Sequence, residues 1–199
     1  MPNTSSSGGF LIPSVSPLEG QALLNFLQGW IVGITAYPGQ YVRPRWQAEP
    51  GNLPDASIDW MSFGIMSRDA DPYPYEVEDP TGTFTQYIRH ETLNILLSFY
   101  GPNADAFASQ MREGMFLPQN NEYLVPQSID VLDAGTMKYL PELIKFRWLN
   151  HIDLPIALRR KLIYNYEVQS LLSATGTVTV DNGGSPTGIA AMPVLTINT

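Results

Sequence analysis

Asp69, Asp71, Glu76, Glu78 and Asp79, crowded between Arg68 and Thr83, are the densest group of side chains in this sequence that could hold a cation or move a proton. Asp69-Ala70-Asp71 could offer oxygens to a divalent ion. The glycine and the closing glutamate of a calcium-binding loop are both missing. Pro72, Pro74 and Pro80 separate the carboxylates, so they lie in water rather than in an apolar pocket that would raise one pKa for acid catalysis. The histidines, His90 and His151, each sit in a strand-like run beside charged residues. Zinc needs three or four ligands, and a chain with no cysteine has no thiolate to complete a set, so both are expected at a surface or an interface. No Gly-x-Ser-x-Gly elbow is present. Gly29-x-x-x-Gly33 reads as helix packing, and Asn182-Gly183-Gly184 as a linker, since no lysine and no strand-to-helix junction follows it. No catalytic residue, metal site or cofactor is therefore expected.

The elements that would position these residues centre on Thr92 to Phe99. There Leu93, Ile95, Leu97 and Phe99 alternate with polar residues, Leu96 being the exception, which is the period of a half-buried strand. Gly101-Pro102-Asn103 stops the strand and opens a helix over Ala104 to Met115. Ser16, with Pro17 and Glu19 after it, is placed as the cap of an earlier helix whose apolar positions are Leu18, Ala22, Leu23, Phe26, Leu27 and Trp30. A short edge strand is expected at Tyr41 to Arg43, held to the edge by Pro44. A longer one runs from Ala56 to Met66, with a bulge near Ser62 to Gly64 and pairing to the Tyr87 strand. Further strands are read at Gln127 to Leu132, Phe146 to Arg159 (Trp148, Ile152, Leu154, Ile156 and Leu158 inward), Ile163 to Val168 and Gly176 to Val180. Pro118 to Pro126 and Leu140 to Leu143 read as a loop and a turn, and the proline-spaced acidic stretch 68–83 as a projecting loop or the tip of a long hairpin. The expected fold class is α+β: a small, mixed, mostly antiparallel sheet with helices packed on it.

Composition narrows the role. With 199 residues there is room for one domain with a sizeable core, here taken as 16–180 between flexible arms at 1–15 and 181–199. Apolar residues make up 44% and charged residues only 15%, which suits a subunit whose surface is covered by others. A net charge of −8 without a basic run argues against a protein that grips phosphates. No basic-then-apolar leader and no apolar run of roughly 20 residues is present, so no membrane association is expected, and the protein is expected to be soluble and cytoplasmic when made. Each arm carries an apolar patch, Phe10-Leu11-Ile12 in one and Val194, Leu195 and Ile197 in the other. The first reads as a chance patch on a terminal tail or as an arm that docks on a neighbouring subunit; the second frays or adds to an exposed sheet edge of its own or a neighbouring chain.

The order of segments resembles the phage neck or tail terminator proteins of long-tailed bacteriophages. The resemblance is carried by the helix from Ser16 to Ile34, then Val42-Arg43-Pro44-Arg45-Trp46-Gln47, and Leu53-Pro54 before a strand. It continues through Leu93 to Pro102, Leu140-Pro141-Glu142-Leu143, Phe146-Arg147-Trp148 and a closing strand pair, covering roughly 16–180. What it implies is a structural virion protein of the tail and neck. Such subunits form a hexameric ring that terminates the tail tube and joins it to the neck or head connector, and duplex DNA passes through the bore without being held. Implied partners are copies of the same chain, the tail tube protein, the connector and possibly a tail sheath. On this reading Arg43, Arg45, Trp46, Tyr73 and Tyr75, with the two arm patches, are candidate ring contacts, whereas Asp69, Asp71, Glu76, Glu78 and Asp79 face the bore or a neighbouring ring. The arms and the acidic stretch depart from the family pattern. Two alternatives remain: another ring of the tail, head-completion or baseplate apparatus, or a small hydrolase or carbohydrate-binding module using the acidic residues.

Overall fold

In the computed structural model, which describes residues 3–47, 51–144, 146–168, 173–174 and 197–198, two long antiparallel strands form the spine. These are β4 (Thr85–Tyr100) and β9 (His151–Tyr166), paired over all 16 residues of each, from Thr85 opposite Tyr166 to Tyr100 opposite His151, without a register shift. Because side chains alternate along a strand, odd residues of β4 and even residues of β9 share one face. Leu93, Ile95, Leu97 and Phe99 meet Ile152, Leu154, Ile156 and Leu158 there, and all are buried. Full burial of each contributes roughly 1.5 to 3 kcal/mol, which makes this face the core.

The other strands extend the spine sideways. β2 (Trp60–Ala70) pairs antiparallel with β4, and β1 (Val42–Pro44) adds a parallel edge to β2. On the far side β5 (Ile129–Ala134) pairs with β9, giving the order β1-β2-β4-β9-β5. Where β2 ends, β3 (Tyr75–Glu78) takes over the edge of β4; beyond β5, β6 (Lys138–Tyr139) takes over the edge of β9. A separate hairpin of β7 (Glu142–Ile144) and β8 (Arg147–Leu149) stands off this sheet. Outside it too, β10 (Ser173–Ala174) pairs with β11 (Ile197–Asn198).

Helix α1 (Gly20–Thr35) lays Leu23, Leu27, Trp30, Ile31 and Ile34 on the core face, and α2 (Ala104–Gly114) adds Ala104, Ala108 and Met111. The architecture is α+β, with helices on one face of a mostly antiparallel sheet, as the periodicity indicated. Gly101 makes the turn before α2 at φ 113°, where an added Cβ would lie 2.7 Å from the Asp59 Cα. Only glycine is at ease there.

Several boundaries differ from the sequence reading. Helix α1 begins at Gly20 rather than after Ser16, and Ala22 is exposed. Glu19 and the Leu18 carbonyl both bond Arg160, which holds the preceding residues extended. The irregularity in β2 falls between Ile65 and Ser67, not at Ser62 to Gly64. The stretch 68–83 holds the end of β2 and all of β3, with turns between and after them, and β3 and β4 form a hairpin whose turn carries Pro80, so of the two readings it is the hairpin tip rather than a free loop. Pro118 to Pro126 contains a short helix, α3 (Pro118–Asn121), and Leu140 to Leu143 runs into β7. The two runs from Phe146 onward are β8 and one continuous β9, and Trp148 is 69% exposed rather than inward. The strand expected at Gly176 to Val180 lies outside the described residues.

Candidate assembly interface

Two polar clusters use up many of the charges and fix the frame. Arg160, only 2% exposed, donates from Nε to Glu91 at 2.5 Å, from one terminal nitrogen to Glu19 at 2.5 Å and from the other to the Leu18 carbonyl at 2.8 Å. Arg68 reaches the second oxygen of Glu19 at 2.6 Å. This cluster ties the start of α1 to β2, β4 and β9. On the opposite face Arg45 donates to the Ser98 hydroxyl, which donates to Asp153. His151 sits between Asp153 and Glu142 with a ring nitrogen 2.9 Å from each, and its ring stacks on Tyr100, which stacks on Trp60. Fully buried Ser98 touches Arg45 and Asp153, not the histidine, so this is a brace between the sheet and β7 and not a nucleophile-base pair.

The arginines singled out from the sequence are half-buried and make hydrogen bonds within their own chain. Arg43 donates to the Gln40 and Asn52 carbonyls at 3.3 and 2.8 Å, and Arg45 is committed to Ser98. Trp46 is exposed, at φ 57°, with its ring over Gly64. Tyr73 and Tyr75 are exposed near the far end of the spine; Trp60 is core. The acidic residues do not act as one patch. Asp69 accepts from Asn94 at 2.6 Å, and Asp71 pairs with Arg159 at 3.4 Å. The Asp79 carboxyl is held below the usual range by the Thr81 and Thr83 hydroxyls of its own turn. Glu76 and Glu78 remain exposed along β3, and Glu76 accepts from the Tyr87 hydroxyl.

The first arm lies along the tip of its own β9. Ser14 donates to the Asn165 carbonyl at 2.8 Å, Asn165 to Val15 at 3.1 Å, and Ser5 to Glu167 at 3.1 Å. Leu11 thereby lines a cavity of about 440 Å³ with Tyr87, Arg89, Leu162, Tyr164 and Tyr166. Phe10 and Ile12 on either side of it point outward, Phe10 being 94% exposed. In the second arm Ile197 pairs with Ala174, while Val194 and Leu195 lie outside the described residues.

A further group of exposed apolar side chains does not follow from the sequence pattern. Leu143, Phe146 and Trp148 all project from the β7–β8 hairpin, Phe146 being 99% exposed at φ 64°. Tight hairpins of this kind are usually signalled by Asn-Gly or Gly at the positive-φ position. A phenylalanine there gives no such signal, so the alternation of Trp148 with Ile152 read as one inward-facing strand.

Large exposed aromatics on a sheet buried by helices on one side define the class of a structural assembly subunit. The chain belongs to the phage neck terminator protein family, whose model matches residues 21–183. It is thus a structural phage protein of the virion's tail and neck, in agreement with the order of motifs in the sequence. A comparison with curated proteins finds no match.

Proposed function

We propose that this protein forms a hexameric ring that terminates the tail tube, joins it to the neck connector and lets DNA pass through its bore, with no chemistry of its own. Residues 16–180 make the ring body, and 1–15 and 181–199 serve as arms toward neighbouring subunits or rings. Tail tube, connector and, where present, sheath proteins are its partners.

The observation that carries this reading is the exposure of large apolar side chains at both ends of the β4–β9 spine, Phe10, Ile12 and Tyr73 at one and Phe146 and Trp148 at the other. Patches that differ from each other suit head-to-tail contacts, which form a ring where the rotation between subunits closes and a filament where it does not. Each can be weak, because closure makes the last contact intramolecular. An acidic chain whose basic side chains are largely engaged internally also suits a passage that must not retain DNA. Of the acidic residues, Glu76 and Glu78 are the ones left to face the bore or an adjoining ring.

Native mass spectrometry and negative-stain microscopy of the purified protein test the proposal. The expected result is a closed ring that caps isolated tail tubes. A protein that stays monomeric, fails to bind tubes and turns over a small molecule would overturn it in favour of the hydrolase alternative.

A further inference from the structure

We infer that the β7–β8 hairpin of one subunit inserts its aromatic tip into the tyrosine-lined cavity at the tip of β4 and β9 of the next, so that Phe146 and Trp148 are the knob, and Tyr87, Arg89, Tyr164 and Tyr166 the socket, of the ring contact. This inference rests on the ring reading and specifies its interface.

Three observations support it. First, among the described residues nothing covers the hairpin tip, and Phe146 is exposed over 99% of its surface. Exposed aromatics of that size carry much of the energy of protein contacts when a partner pocket receives them. Second, the same chain carries such a pocket. Its volume, about 440 Å³, is enough for a bulky ring, and Leu162 and the tyrosines line it with apolar surface, while Arg89 offers a cation to an aromatic face. Third, the hairpin brings no unpaired carboxylate to the contact, since its own Glu142 is held by His151.

The positions also dictate the kind of assembly. The hairpin adjoins the His151 end of β9 and the cavity begins at Leu162 and runs to the Tyr166 end, so roughly 36 Å of strand at about 3.3 Å per residue lies between them. One subunit cannot fill its own cavity, and the two patches are different surfaces. The contact is heterologous and propagates in one direction.

Size measurements on three samples test this: a knob variant (Phe146→Ser with Trp148→Ser), a socket variant (Tyr164→Glu) and their mixture. The expected result is that each variant alone loses every species above the monomer, whereas the equimolar mixture forms a dimer and nothing larger, because one intact knob meets one intact socket. Circular dichroism of each variant checks that the fold is kept. The chain has no cysteine, so Phe146→Cys with Tyr166→Cys provides a second measurement that leaves the socket uncharged; a bismaleimide should join different subunits into a ladder. Rings formed by the knob variant as readily as by the natural protein would overturn this contact and leave the ring reading standing. A natural protein that remains monomeric at every accessible concentration would overturn both.

Discussion

At the level of single residues, the clearest consequences come from groups whose surroundings do not suit their chemistry. Tyr37 stacks on Phe107 with ring centroids 4.0 Å apart, joining the end of α1 to α2, and its buried hydroxyl has no hydrogen-bond partner among the described residues. Burial, aided by nearby Asp59, raises its pKa well above the ordinary value of 10.0. Below that value the phenol is neutral folded or unfolded, and stability is complete. Above it the unfolded chain ionises while the folded one keeps the proton, so stability falls as pH rises. Urea denaturation at pH 8 and pH 11 should show this fall, and Tyr37→Phe should reduce it; Tyr100, also raised by burial, accounts for part of what remains. At pH 8 the same variant should match the natural stability or exceed it by about 1 kcal/mol, since an orphaned polar group is removed. Gly101→Ala should cost about 1 to 3 kcal/mol in the same assay, because a Cβ at φ 113° meets the Asp59 backbone.

At the level of elements, Arg160 holds the start of α1 against the spine. Glu91→Gln removes one of the two carboxylates that compensate that guanidinium, Glu19 remaining, and should lower stability by about 1 to 3 kcal/mol. Replacing both, as Glu91→Leu with Arg160→Met, should recover much of the loss. If the double variant is no better than the single one in chemical denaturation, the cluster contributes more than charge compensation. The strands of the spine were legible because Leu93, Ile95, Leu97 and Phe99 keep strict alternation against Ile152, Leu154, Ile156 and Leu158. The start of α1 was not, because Ser16-Pro17 is a good local cap signal that a contact 141 residues away in the chain overrides. Arg43 and Arg45 likewise looked free in the sequence because their acceptors, the Asn52 carbonyl and Ser98, come near only on folding. The acidic stretch was legible only as a choice between loop and hairpin tip: proline spacing marks turns at Pro72, Pro74 and Pro80 but does not reveal that Tyr75–Glu78 between them has an edge of β4 to join.

At the level of the whole molecule, charge and symmetry decide behaviour. Reversing Glu76 and Glu78 to lysine should make assembled protein retain duplex DNA in a salt-dependent way, measurable by filter binding between 50 and 200 mM salt, since each phosphate neutralised steepens the dependence by about 0.9 on a logarithmic scale. Unchanged, negligible retention would place both residues away from the bore. What the spine implies mechanically follows from how unevenly it is clad. α1 and α2 cover it around Leu93 to Phe99, but among the described residues the ladder toward Thr85 and Tyr166 continues past them, flanked by β3 and the first arm. A two-layer slab resists flexing, while a single hydrogen-bonded ribbon resists stretch yet bows across its plane. Each subunit thus combines a stiff block with a leaf spring, and a collar built from such units could take up a mismatch between the parts above and below it without opening its seams.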